Sequence, residues 1–178
     1  MTDDRLIRKI KRADRQAADQ LISRYYDEIY VFVFRQIFDK QNAMDVTQDI
    51  FVRMLRSLAG YDSSKASFRT WLYRIAASVL TDSRRKDVRQ PIQIDIDDVS
   101  ITSDEDFEHR IEQRDFARRV LQILTTKDEL SQQIFRMKIF ADHTLSQIAS
   151  ALDMPESSVK SRYYRLLREL REEIDYEP

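Results

Sequence analysis

Six polar side chains near the end of the chain have the types and spacing to hold nucleic acid: Ser157, Ser158, Lys160, Ser161, Arg162 and Arg165. Hydroxyls and free backbone N–H groups at the start of a helix can take phosphate oxygens. Lys and Arg reach phosphates or the edges of bases. Nothing comparable exists for catalysis. The chain has no cysteine, and its two histidines, His109 and His143, stand far apart without neighbours that would complete a metal site. The expectation is a binding protein with no catalytic residue, metal or cofactor.

Two helices and a tight turn must position those side chains. Leu145, Ile148, Ala149 and Leu152 fall at the three- and four-residue steps of one helical face. Asp153, Met154 and Pro155 form the turn, and Pro suits the first turn of the helix that follows. Val159, Tyr163, Leu166, Leu167 and Leu170 make the buried face of that second helix, opposite the Ser, Lys and Arg set with Arg168. This is the layout of a helix-turn-helix whose second helix enters a DNA major groove, with small Ala149 where the helices cross. A plain helical hairpin with a solvated basic face has the same pattern. Asp153 stands where such turns often carry Gly, and Asp accepts a left-handed backbone better than most residues.

Composition narrows the fold class. One Gly and three Pro in 178 residues leave few sheet turns, so the chain is read as all-α. The absence of cysteine fits a reducing cytoplasm. No window approaches the ~18 apolar residues of a membrane span, and the start lacks the apolar core of a signal peptide. A formal net charge of −1 conceals segregation: 5–15 and 84–89 are mostly basic, 91–108 is acidic without one basic residue, and 157–168 in the last helix is basic again. That pattern suits contact with DNA in two places and an acidic connector between them.

Along the chain, 3–38 carries a helical stripe from Leu6, Ile7 and Ile10 through Leu21, Tyr25, Ile29 and Val33 to Ile37. A polar break at 39–42 precedes a helix over 43–58, whose outer face shows Asp45, Gln48, Asp49, Arg53 and Arg56. Gly60 is expected to stop that helix. After a loop, Ser67 caps a helix over 68–86 in which Trp71, Arg69, Arg74, Ser78, Thr81, Asp82, Arg85 and Lys86 lie off the buried face. Aromatics mixed with Arg beside a loop are the ingredients of a single-strand surface, although a lone Trp is also ordinary core. Helices over 107–124 and 127–140 complete the second unit. The predicted organisation is two small helical domains, 1–88 and 108–178, joined by an acidic linker at 89–107.

Residues 43–58 and 68–76 closely resemble region 2 of bacterial extracytoplasmic-function (ECF, group 4) sigma factors of the sigma-70 family. Residues 127–170 resemble their region 4, including Ser158, Val159, Lys160, Ser161 and Arg162. The likeness covers nearly the whole chain, in the family's order and spacing. It implies a transcription initiation factor that binds core RNA polymerase, directs it to promoters and helps melt them. It implies that Asp45, Gln48, Asp49 and Arg53, with Phe51 and Met54, dock on the polymerase clamp helices. It implies that Tyr61, Lys65, Ser67, Phe68, Trp71, Arg74, Ser78, Asp82, Arg84, Arg85 and Lys86 read and open the −10 element. Ser157, Ser158, Lys160, Ser161, Arg162 and Arg165 would read the −35 element, and the linker would thread the polymerase cleft. It also implies an anti-sigma partner, soluble or membrane-anchored, for a cytoplasmic chain that makes no membrane contact itself. Ser78 stands where members often have Asn, and Leu124-Thr125 where they often have Leu-Pro. The rival reading is a helix-turn-helix regulator that binds duplex DNA without polymerase; an interaction module that only decoys anti-sigma partners is a third.

Overall fold

The computed structural model describes residues 1–87 and 104–175, with side chains described outside 83–112. Eight α-helices form among the described residues: α1 (Asp3–Ile10), α2 (Arg15–Ile37), α3 (Lys40–Ser57), α4 (Phe68–Asp87), α5 (Asp104–Leu124), α6 (Glu129–Ile139), α7 (Leu145–Leu152) and α8 (Glu156–Asp175). The expected linker lies outside the described residues up to 103, and its last four positions are the start of α5.

Helix boundaries are set by side chains that take up free backbone N–H groups. Asp14 accepts from the Ala17 N–H at 3.0 Å, Asp39 from Asn42 at 2.6 Å and Asp128 from Ser131 at 3.1 Å. Ser67 does the same for Thr70 at 3.2 Å, as expected. Three expectations are corrected. The stripe over 3–38 is two helices, because the chain reverses at Ala13 (φ 66°) and lays Leu6 and Ile7 back against α2. The polar break at 39–42 shrinks to a left-handed Phe38 and the Asp39 cap, so residues 40–42 already belong to α3. Gly60 does not cap α3 in the left-handed region; it ends a 3-10 turn, Leu58–Gly60, and no glycine has positive φ.

The core of the first half gathers Leu6, Leu21, Ile29, Phe32, Ile50, Met54, Leu72 and Leu80; that of the second gathers Leu121, Leu124, Ile134, Met137, Ile148, Val159 and Leu166. Each such side chain contributes about 1.5–3 kcal/mol by leaving water. The halves are also packed on each other, α4 lying against α6 and α7 while α2 touches α5. Inside that seam Arg136 Nη1 donates to Gln36 Oε1 at 2.6 Å.

Candidate nucleic-acid interface

Local chemistry at α7 and α8 explains why the turn holds its shape. Thr144 Oγ1 accepts from the Gln147 N–H at 3.1 Å, and the Gln147 side chain accepts from the Thr144 N–H at 2.9 Å, a closed capping box at the start of α7. At its end Asp153 sits left-handed (φ 56°, ψ 45°), and the Met154 N–H donates to the Ala149 carbonyl at 3.0 Å. Asp153 therefore does what Gly does in many such turns. Ala149 is buried at the crossing, and Val159, Tyr163, Leu166 and Leu170 anchor α8 from below.

That anchoring leaves Ser157, Ser158, Lys160, Ser161 and Arg165 exposed along one side of α8. Lys160 Nζ pairs with Glu156 at 2.6 Å, and that hydrogen bond raises the Lys160 pKa. Arg165 approaches Glu169 at 3.9 Å. Exposed pairs of this kind break easily when a stronger anion arrives. Arg162 is different. Its Nη1 donates to Asp128 Oδ1 at 3.0 Å and reaches Ser131 Oγ at 3.5 Å, tying α8 to the start of α6. Burial alone would raise the Asp128 pKa, but hydrogen bonds from Ser131 and the Arg162 charge outweigh it and hold the carboxyl below its usual value. One residue of this face escaped the sequence reading. Tyr164 is 61% exposed, four residues after Lys160, and that spacing is the signal that could have found it.

In the first half, Asp45, Gln48, Asp49 and Arg53 are exposed on α3. Arg53 Nη1 donates to Asp82 Oδ2 on α4 at 2.7 Å, which joins a residue expected to dock on protein to one expected to meet DNA. Phe51 and Met54 are only 4% and 0% exposed, so they hold α3 in its core and offer no docking surface here. Met44, Val52 and Leu55 are the exposed apolar residues of the same helix, because its apolar set is wider than one buried stripe.

The aromatic residues expected to read an unstacked base are closed on one another. Tyr61, Phe68 and Trp71 lie with ring centroids 5.1–5.8 Å apart, and Trp71 is 6% exposed. In this state Trp71 is core. Lys65 and Ser67 are exposed, Arg74, Ser78 and Asp82 are half-buried, and the side chains of Arg84, Arg85 and Lys86 lie outside the described set. In the loop, Asp62 accepts from both the Ser64 hydroxyl and its N–H, bonds that lower the Asp62 pKa.

Residues 21–90 match the sigma-70 region 2 family and residues 119–170 match sigma-70 region 4, together well over half of the chain. The chain belongs to the extracytoplasmic-function branch of the sigma-70 family. As a sigma factor it is a transcription initiation factor, and its two matched regions serve promoter specificity of RNA polymerase. It is 29% identical to the RNA polymerase sigma-H factor of Pseudomonas aeruginosa, over 97% of this chain and 92% of that one. It is 26% identical to the ECF RNA polymerase sigma-E factor of Escherichia coli, over 98% and 93% of the two chains. Its fold matches CnrH, solved in complex with the cytosolic domain of CnrY, with a TM-score of 0.64, 20% identity and 99% of both chains covered. Sigma factors bind core polymerase and promoter DNA, and the family's members are initiation factors rather than enzymes. No helix among the described residues is long and apolar enough to cross a membrane, and none of their His, Asp and Glu side chains form a group of three that could hold a metal.

Proposed function

We propose that residues 1–88 dock on core polymerase and open the −10 element, that 108–178 reads the −35 element as duplex, and that 89–107 tethers the two inside the polymerase. The observation that carries this is the face of α8, where a capped helix-turn-helix leaves Ser157, Ser158, Lys160, Ser161 and Arg165 facing solvent. Arg165 and Lys160 are its mobile cations, and Arg162 positions the helix. An exposed carboxylate and amide face, Asp45, Gln48 and Asp49, supports docking on a basic coiled coil, with Met44, Val52 and Leu55 adding apolar contact. Opening requires the Tyr61, Phe68 and Trp71 cluster to part, with Lys65 and Arg74 holding backbone of the freed strand. The cytoplasm is where such a chain works. A protein inhibitor that clasps it there is the natural regulator, given that its structural relative was solved with a protein partner.

Footprinting tests the assignment. With core polymerase, the protein should protect duplex around −35 and make thymines around −10 reactive to permanganate. Protection of duplex alone, reached without polymerase, would instead mean a helix-turn-helix regulator.

A further inference from the structure

One histidine sits on the seam between the two halves. On the first half, Tyr73 and Arg69 of α4 both donate to Glu28 Oε1 of α2, at 2.8 and 2.6 Å, and the Arg69 guanidinium lies 4.9 Å from the Tyr73 ring centroid. On the second half, the turn between α6 and α7 presents His143, whose ring centroid is 5.0 Å from that of Tyr73 at 60°. His143 is 1% exposed, and neither of its ring nitrogens makes a hydrogen bond. The Met137 and Ala141 carbonyls approach the ring without reaching hydrogen-bond geometry. A buried polar ring without partners is rare in a folded protein, and as a cation it would be far more costly.

We propose that His143 is an acid-sensitive latch: the closed seam admits only the neutral imidazole, and a proton on it separates the two halves. Arg69 repels an imidazolium. Glu28, the anion that would welcome one, is already held by Arg69 and Tyr73. No titratable side chain stands on α7, and from α6 the ring meets the Met137 carbonyl. A cleft of about 430 Å³ lined by Glu28, Arg69, Tyr73 and Asp142 brings water to the edge of the seam.

Burial lowers the His143 pKa, Arg69 lowers it further, and the two carbonyls and Glu28 only partly oppose them. The open state, with an ordinary imidazole near ~6.5, binds more protons than the closed one. Closure is therefore full above ~6.5 and weakens as pH falls, the open-to-closed ratio rising by up to about tenfold per pH unit until the depressed value is reached.

The consequence rests on the promoter reading above. In the closed state Lys65, beside the −10 surface, pairs with Asp153 in the −35 turn at 2.8 Å. Elements about 25 base pairs apart lie roughly 85 Å apart along duplex at ~3.4 Å per pair. The closed state cannot touch both, so the latch stands between the resting chain and promoter reading.

The 178-residue chain has no cysteine, so Gln20→Cys and Arg171→Cys would carry a donor–acceptor dye pair in the whole of it. Without polymerase or DNA, energy transfer should be constant from pH 8 to 7 and change progressively from about 6.5 to 5. His143→Gln should flatten that response. Arg69→Gln, which frees Glu28 for the imidazolium, should move the change to lower pH. With His109→Gln, one imidazole resonance remains in the NMR spectrum, and it should titrate below the ordinary histidine value. A pH-independent distance, an unaltered response in His143→Gln, or a ring that titrates at the ordinary value would each overturn the latch. Promoter-dependent transcription at pH 8 would survive that failure, so the two readings fail separately.

Discussion

Arg136 on α6 and Gln36 on α2 are 100 positions apart in the chain, yet Arg136 Nη1 donates to Gln36 Oε1 at 2.6 Å where both side chains are fully buried. Gln36 is itself fixed, since its Nε2 donates to the Phe32 carbonyl at 2.8 Å. The bond ties the two regions together at a point water does not reach. A hydrogen bond to a buried charge contributes about 1.5–3 kcal/mol. Gln36→Leu, similar in volume but without the acceptor, should lower the unfolding free energy in urea by about that amount. An unchanged midpoint and slope would show that the seam does not depend on this bond.

Asp49 tests the docking face. It is exposed on α3 between Asp45 and Arg53, so reversing its charge should leave the helix content seen by circular dichroism intact. Asp49→Arg should weaken binding to core polymerase by at least tenfold, about 1.4 kcal/mol, read by gel filtration or fluorescence anisotropy. Retained affinity would move the docking surface elsewhere.

The cations of α8 should divide by role. Lys160→Ala and Arg165→Ala should each weaken holoenzyme binding to a promoter, by about 1–3 kcal/mol where a base edge is lost or with a salt slope reduced by about one where a phosphate is lost. Arg162→Ala should instead lower thermal stability, because its guanidinium serves Asp128 and Ser131. Equal effects of all three on binding, with no change in melting temperature, would contradict that division.

Much of this molecule was legible in its residues, and the exceptions share a cause. The all-α class, the helix-turn-helix and the Ser67 cap follow from periodicity and from where hydroxyls and carboxylates stand. The break after α1 and the sharp step into α3 were harder, because they turn on the left-handed Ala13 and Phe38; among the described residues none of the four left-handed positions, which include Asp142 and Asp153, is a glycine. The single glycine sits where its freedom is not used. Trp71 and Phe51 carried two meanings that composition cannot separate, since an aromatic on a helix is core or contact depending on what packs over it; Tyr61, Phe68 and Tyr26 supply that cover. The seam and His143 were beyond reach, because burial of one imidazole depends on how two distant helices meet.

Asp153 gives a direct test of the turn. A left-handed backbone costs an ordinary residue about 1–2 kcal/mol, and Gly escapes most of it. Asp153→Ala and Asp153→Gly lose the same exposed contact with Lys65, so their difference isolates the backbone. The Gly variant should be more stable than the Ala variant by about 1 kcal/mol in urea unfolding. Equal stabilities would mean the turn relaxes out of the left-handed region.

The central claim is promoter direction, and run-off transcription measures it most directly. Purified core polymerase would be given a pool of genomic fragments with and without this protein. New start sites that share a two-part upstream motif, lost with Asp49→Arg and weakened with Arg165→Ala, are the result predicted. No new transcripts, from a protein that binds duplex DNA unaided, would contradict the account.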